Sequence, residues 1–204
     1  MIIFDLDNTL FNTPLLKKDF ERIFSKHKLS GPKFWQTFYS AYDIKPKAKG
    51  CYSIDKHFLA LSNFFKPKEK IKIKKELIKA IHCRGRGYLY PDVIPTLNRL
   101  KQNKKPIYLI TKGEKDFQNL KIKATNIGSY FRKIYIVKND KVPAFKKIVK
   151  NLSAVSVNDR LEELLLVKKQ LPKVKSIFIK RKHQKIKKGL VPPILNLKQI
   201  FRSL

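Results

Sequence analysis

The chain opens on a short apolar run, Ile2-Ile3-Phe4, which stops abruptly and gives way to polar residues at alternate positions, Asp5, Asp7 and Thr9. A continuous apolar run ending in acids predicts a buried strand whose C-terminal end opens into a polar site. The period then changes. Leu15-Leu16, Phe20 and Ile23-Phe24 recur at helical spacing and predict an amphipathic helix over 14–28, which Ser30-Gly31-Pro32 breaks. Phe34-Trp35, Phe38-Tyr39 and Tyr42 predict a second helix whose aromatic face is either core or a substrate-facing wall. Lys45 to Gly50 is expected as a loop. Phe58, Leu59, Leu61 and Phe64-Phe65 predict a third helix over 55–65, and a fourth follows at 67–82 with Pro67 near its start. Cys83-Arg84-Gly85-Arg86-Gly87 is expected as a flexible exit, and no strand is expected over residues 14–88.

From residue 91 the two periods alternate. A helix is expected from Pro91 through Lys101, then a strand at Pro106–Ile110 ending in Thr111-Lys112-Gly113, and a helix at 115–127. A strand at Ile134–Val137 ends at Lys138-Asn139-Asp140-Lys141, and Pro143 to Asn151 is helical. A strand at Ala154–Val157 ends in Asn158-Asp159, followed by a helix at 160–170, a strand at Ser176–Ile179 and a short terminal helix within 194–204. Short β-branched strands alternating with helices predict an α/β fold with a parallel five-stranded sheet covered on both faces.

In such a sheet the strand ends point the same way, and ligands bind outside the carboxyl ends. The ends here carry Asp5, Asp7 and Thr9, then Thr111, Lys112 and Gly113, then Lys138 or Lys141, then Asn158-Asp159. Two carboxylates as close as Asp5 and Asp7 repel unless a cation lies between them or one holds a proton, so the pair suits a hard cation such as Mg²⁺. The set supplies a nucleophile, a proton donor, a metal site and cations against phosphoryl oxygens, which is the equipment of phosphoryl transfer.

Asp5-Leu6-Asp7-Asn8-Thr9 after an apolar strand, Thr111 at a later strand end, Lys141-Val142-Pro143-Ala144-Phe145 and Asn158-Asp159 follow one another in the order of the four motifs of the haloacid dehalogenase (HAD) superfamily, which the chain resembles along its length. The match is to the phosphatase type with a C1 helical cap, phosphoglycolate phosphatase-like. The resemblance implies a Rossmann-like core of residues 1–13 and 89–204 and a helical cap over 14–88. It implies that Asp5 is the nucleophile and Asp7 the general acid and base, and that Thr111, Lys112, Gly113 and Lys141 hold the phosphoryl group. It further implies Mg²⁺ on Asp5, Asp7 (through its backbone carbonyl) and Asp159. Lys138 is the runner-up for Lys141, and Glu162 or Glu163 is the candidate for a further acid. The implied activity is hydrolysis of a small phosphomonoester through an aspartyl-phosphate, because dehalogenases proper lack the second acid. Lys112 stands where many members carry Asn, and Asn158 where many carry an acid or Gly.

Charge adds a second reading. The chain has 47 Lys+Arg against 15 Asp+Glu in 204 residues, a formal +32. Such a field attracts polyanions. The excess is mostly lysine, 39 Lys to 8 Arg, and is spread along the chain. The alternative is therefore a HAD-like protein that binds nucleic acid or another polyanion weakly, as an end phosphatase or as a catalytically vestigial scaffold. The basic run Lys180 to Lys188 is either a solvated loop or such a contact. No apolar run reaches the length of a membrane helix, the first strand starts at residue 2, and two cysteines are too few for a disulfide framework. A cytoplasmic protein without a membrane partner is expected. Cys51, His57, His82 and Cys83 lack zinc-ligand spacing.

Overall fold

The structure, a computed structural model, describes residues 1–41, 51–150, 152–182 and 193–202. The expected loop at 45–50, Tyr42 and most of the basic run at 180–188 lie outside the described residues. In chain order the elements are β1 (Ile2–Phe4), α1 (Thr13–Lys26), α2 (Gly31–Ser40), α3 (Ile54–Ala60), α4 (Pro67–Arg84), α5 (Val93–Gln102), β2 (Ile107–Lys112), α6 (Lys115–Thr125), β3 (Lys133–Val137), α7 (Val142–Val149), β4 (Ala154–Asn158), α8 (Leu161–Gln170) and β5 (Val174–Phe178). Among the described residues, three short 3₁₀ helices lie at Gly85–Tyr88, Gly128–Tyr130 and Leu197–Arg202.

The chain divides into two compact units: Met1–Thr13 with Leu89–Lys112 and Ile127–Leu204, and Pro14–Tyr88 with Gly113–Asn126. Helix α6, expected with the sheet, groups with the helical segment.

The first unit is built on a five-stranded sheet in the order β3-β2-β1-β4-β5, every pairing parallel. The α/β reading of the sequence stands. The three residues of β1 are at most 1% exposed, as a central strand covered on both faces must be, which is why they read Ile-Ile-Phe. Ile3 joins Ile110, Ala154 and Val174 of neighbouring strands, and α7 and α8 cover them with Val142, Phe145, Ile148 and Val167. Register aligns the strand ends. Phe4 pairs with Leu109 of β2 and Val157 of β4, so Asp5, Thr111 and Asn158 emerge at neighbouring positions of one edge.

The second unit packs helices around aromatic rings. Phe24 of α1 lies 5.4 Å from Phe34 of α2 and 5.1 Å from His57 of α3, ring to ring. The aromatic face of α2 is thus divided: Phe34 and Phe38 are core, whereas Tyr39 is exposed. The expected helix at 55–65 stops at Ala60, because Ser62 turns its hydroxyl back to the Leu59 carbonyl at 2.7 Å and Ser-Asn favours a turn. The expected flexible exit at 83–87 is instead ordered helix. Helix α4 runs through Arg84, and a 3₁₀ turn continues to Tyr88. Buried Asp19 holds it, accepting from the Tyr88 hydroxyl at 2.7 Å and pairing with Arg84 at 2.8 Å. Gly85 has φ +48, and a Cβ there would meet the Ala124 carbonyl oxygen at 2.9 Å, so only glycine suits that turn.

Candidate active site

The segment after β1 wraps around one carbonyl. The amides of Thr9, Leu10 and Phe11 all approach the Leu6 oxygen, at 3.3, 2.9 and 2.8 Å. Asn8 takes a left-handed φ of 58°, which Asn tolerates better than most residues. This turn fixes Asp5 and Asp7 at its start. Asp5 extends β1 by donating its amide to the Val157 carbonyl at 3.0 Å, and its carboxyl is buried. Asp7 accepts from the Thr13 hydroxyl at 2.7 Å.

Asp5 is gripped from two directions. Lys141, the residue before α7, places Nζ 2.6 Å from Asp5 Oδ1 and 2.7 Å from Glu163 Oε2. Thr9 Oγ1 donates to Asp5 Oδ2 at 3.3 Å and accepts the Asp159 amide at 3.1 Å. Thr9 thereby joins the first strand's loop to the end of β4 across 150 positions of sequence. Glu163, in the first turn of α8, also accepts from the Asn158 side chain at 3.0 Å and from Arg160 at 2.9 Å. Of the two lysines left open by the sequence, the structure puts Lys141 against Asp5, while Lys138 is exposed. Of the two acids, it puts Glu163 against Lys141.

Thr111 is fully buried at the end of β2, two positions past the partner of Phe4, and the strand continues through Lys112 rather than ending at Ile110. Gly113 belongs to the helical unit, where a Cβ would fall 2.3 Å from the Gln118 side chain, so the position is closed to larger residues.

Electrostatics follow from burial. Desolvation pushes the Asp5 carboxyl up; Lys141 pulls it back, and Glu163 and Asp7 add to the rise. Asp159 is pushed up to about 8, first by burial and then by Asp5. Lys141 has its charge opposed by burial, yet Asp5 and Glu163 outweigh that and hold it firmly protonated. Glu163 is likewise penalised by burial but drawn below its ordinary value by Lys141.

The family profile of the haloacid dehalogenase-like hydrolases matches residues 2–159. The chain belongs to the haloacid dehalogenase-like hydrolases. Solved HAD structures share its fold. A protein described as a haloacid dehalogenase-like hydrolase from Burkholderia xenovorans LB400 superposes with TM-score 0.76 at 17% identity, over 98% of this chain and 94% of its own. The HAD-hydrolase YfnB from Bacillus subtilis, bound to magnesium, gives 0.63 at 12% identity, over 99% and 96%. A dehalogenase gives 0.63 at 14% identity, over 100% and 96%. No curated protein matches the chain in sequence.

Among the described residues no three His, Cys, Asp or Glu side chains form a metal cluster by themselves. Asp5 adds to the rise of the Asp159 carboxyl, so the two acids share one neighbourhood, and the family resemblance offers the Asp7 backbone carbonyl as a further oxygen. The acids Asp5, Asp7, Asp159 and Glu163 stand against two cations, Lys141 and Arg160. Beyond burial, the rise of Asp159 is the carboxylate repulsion that a hard dication between the acids would relieve. The all-oxygen set fits Mg²⁺.

The sequence leaves Arg160 and Asp92 unmarked, and it places Arg181 in a basic run expected to be a solvated loop or a nucleic-acid contact, whereas Arg181 is buried against Asp92. Arg160 precedes α8 directly, and an arginine three residues before an acid was a readable signal. Arg181 pairs with Asp92 at 2.8 Å across 89 positions, and no local pattern marks that pair. Among the described residues no helix is long and apolar enough to cross a membrane.

Proposed function

We propose that the chain is a Mg²⁺-dependent phosphatase that hydrolyses a small phosphomonoester through an aspartyl-phosphate on Asp5. The observation that carries this reading is Asp7, a second carboxyl two residues beyond buried Asp5 and anchored by the Thr13 hydroxyl. A halide leaves without a proton, but an alkoxide does not, so a second acid favours phosphate esters over haloacids.

Asp5 attacks phosphorus, and the bond to the leaving oxygen breaks as Asp7 protonates that oxygen. Asp7, now ionised, takes a proton from water, which attacks the aspartyl-phosphate and frees Asp5 and phosphate. Lys141 and Thr111 face the phosphoryl oxygens in this reading, with Lys112 and Gly113 following Thr111. Asp5, Asp159 and the Asp7 carbonyl hold Mg²⁺, which supplies positive charge against the phosphate when bound. The helical unit, inserted after the first strand, serves as a cap that selects the substrate.

The test is turnover of a generic aryl phosphate with and without Mg²⁺, in wild type and Asp5→Asn. Unchanged turnover in Asp5→Asn removes Asp5 as nucleophile.

A second reading, binding of nucleic acid or another polyanion, is favoured by one feature of the helical unit. Lys68, Lys72, Lys75 and Lys79 of α4 and Arg86 beyond it are all exposed at helical spacing. Retention on DNA or RNA at about 0.15 M salt supports this reading, and release well below that salt leaves only diffuse charge.

A further inference from the structure

Arg181 follows β5 and is only 5% exposed. One of its terminal nitrogens donates to Asp92 Oδ2 at 2.8 Å, and the other donates to the backbone carbonyl of Thr9. Its guanidinium carbon lies 4.0 Å from the centre of the Tyr90 ring. Asp92, equally buried, also accepts the Leu197 amide at 2.7 Å. One planar fork therefore ties the carboxylate before α5, and through it the terminal 3₁₀ helix, to the loop that carries Asp5 and Asp7.

A buried ion pair is a poor way to gain stability, because apolar residues of similar volume often do as well or better. Its advantage is geometric: an arginine fork fixes two oxygens at set positions on two segments. The oxygen fixed here belongs to Thr9, whose hydroxyl meets both Asp5 Oδ2 and the Asp159 amide. Only backbone and side chain of one residue separate the guanidinium from the proposed nucleophile.

We propose that Arg181, held by Asp92, is a positioning residue for the reaction: by fixing the Thr9 carbonyl it sets the Thr9 hydroxyl that orients Asp5 and docks the end of β4. The inference rests on the phosphatase reading for its kinetic consequence, but its structural consequence does not.

Arg181→Lys keeps a positive charge beside Asp92 and loses the fork. In the full-length protein with Mg²⁺ and an aryl phosphate, kcat falls by about tenfold to a hundredfold while KM stays within about threefold, as misplacement of a reacting group by a fraction of an ångström requires. Hydrogen exchange at the Asp159 amide accelerates by about tenfold or more, with the amides inside β4 unchanged. The double variant Asp92→Asn with Arg181→Met removes both charges, so no unpaired charge stays buried, and it shows the same two effects. Wild-type kcat together with wild-type Asp159 exchange in either folded variant overturns the proposal. Absence of turnover in the wild type would instead defeat the phosphatase reading, and the exchange measurement would still decide the role of Arg181.

Discussion

Lys141 Nζ lies 2.6 Å from Asp5 Oδ1, a contact between residues 136 positions apart, and the same ammonium lies 2.7 Å from Glu163. Both Lys141 and Asp5 are nearly solvent-free. Removing one partner of such a pair leaves an uncompensated buried charge, which costs about 3–5 kcal/mol. Lys141→Met is therefore expected to lower unfolding free energy by that order in urea titration. Adding Glu163→Gln removes one of the stranded acids and recovers part of the loss. A Lys141→Met variant as stable as wild type would mean that the cluster does not hold its charges in the folded state.

The role given to Asp7 is separable from that of Asp5 by leaving group. Asp5→Asn removes the nucleophile and is expected to lower kcat by about a thousandfold or more on every ester. Asp7→Asn removes the proton donor, so its effect depends on how much the leaving oxygen needs a proton. We expect an alkyl phosphate to lose about a hundredfold or more in kcat/KM and p-nitrophenyl phosphate clearly less. Equal losses on both substrates would show that Asp7 does not protonate the leaving group.

Much of this was legible in the sequence because the central strands are apolar runs and their ends are polar. Ile2-Ile3-Phe4 and Ala154-Val155-Ser156-Val157 read as strands for the reason that they are covered on both faces. Strand β5 begins two residues before its expected start, because buried Val174 alternates with exposed Lys175 and the alternation of an edge strand is a weaker signal than a run. The tail forms a 3₁₀ helix at Leu197–Arg202, fixed by the Leu197 amide on Asp92, a partner 105 positions away. Lys141 could not be told from Lys138 by position, since both follow β3. Burial against Asp5 distinguishes them, and burial at that point depends on the sheet being assembled. Asp92 and Arg181 are likewise visible only once β5 lies beside β4.

The loop after β1 is specified by one backbone conformation. Asn8 has φ 58°, a region that costs β-branched residues more than Asn or Gly. Asn8→Gly is expected to change stability by less than about 0.5 kcal/mol, whereas Asn8→Val costs about 1–2 kcal/mol. Thermal and urea unfolding of the two variants checks the difference. Similar losses in both would locate the contribution of Asn8 in its side chain and not in its backbone.

His57 makes the helical unit acid-sensitive in a stated window. Its ring is completely buried, with Nδ1 2.8 Å from the Tyr52 hydroxyl and Nε2 3.2 Å from Thr37 Oγ1, among Phe24, Phe34 and Phe38. Burial lowers its pKa from 6.5 to about 4. The fold therefore holds the neutral ring. Above pH 6.5 both folded and unfolded chains carry it neutral, and its contribution is complete. Between about 6.5 and 4 the unfolded chain binds a proton that the folded chain does not, so stability falls as pH falls. Below about 4 both states are protonated and the loss levels off. The span corresponds to roughly 3 kcal/mol at most. His57→Gln keeps a buried hydrogen-bonding side chain that does not titrate, so its urea midpoint should change less than that of wild type between pH 7 and pH 4.5. Parallel pH profiles for the two proteins would show that His57 is not held neutral.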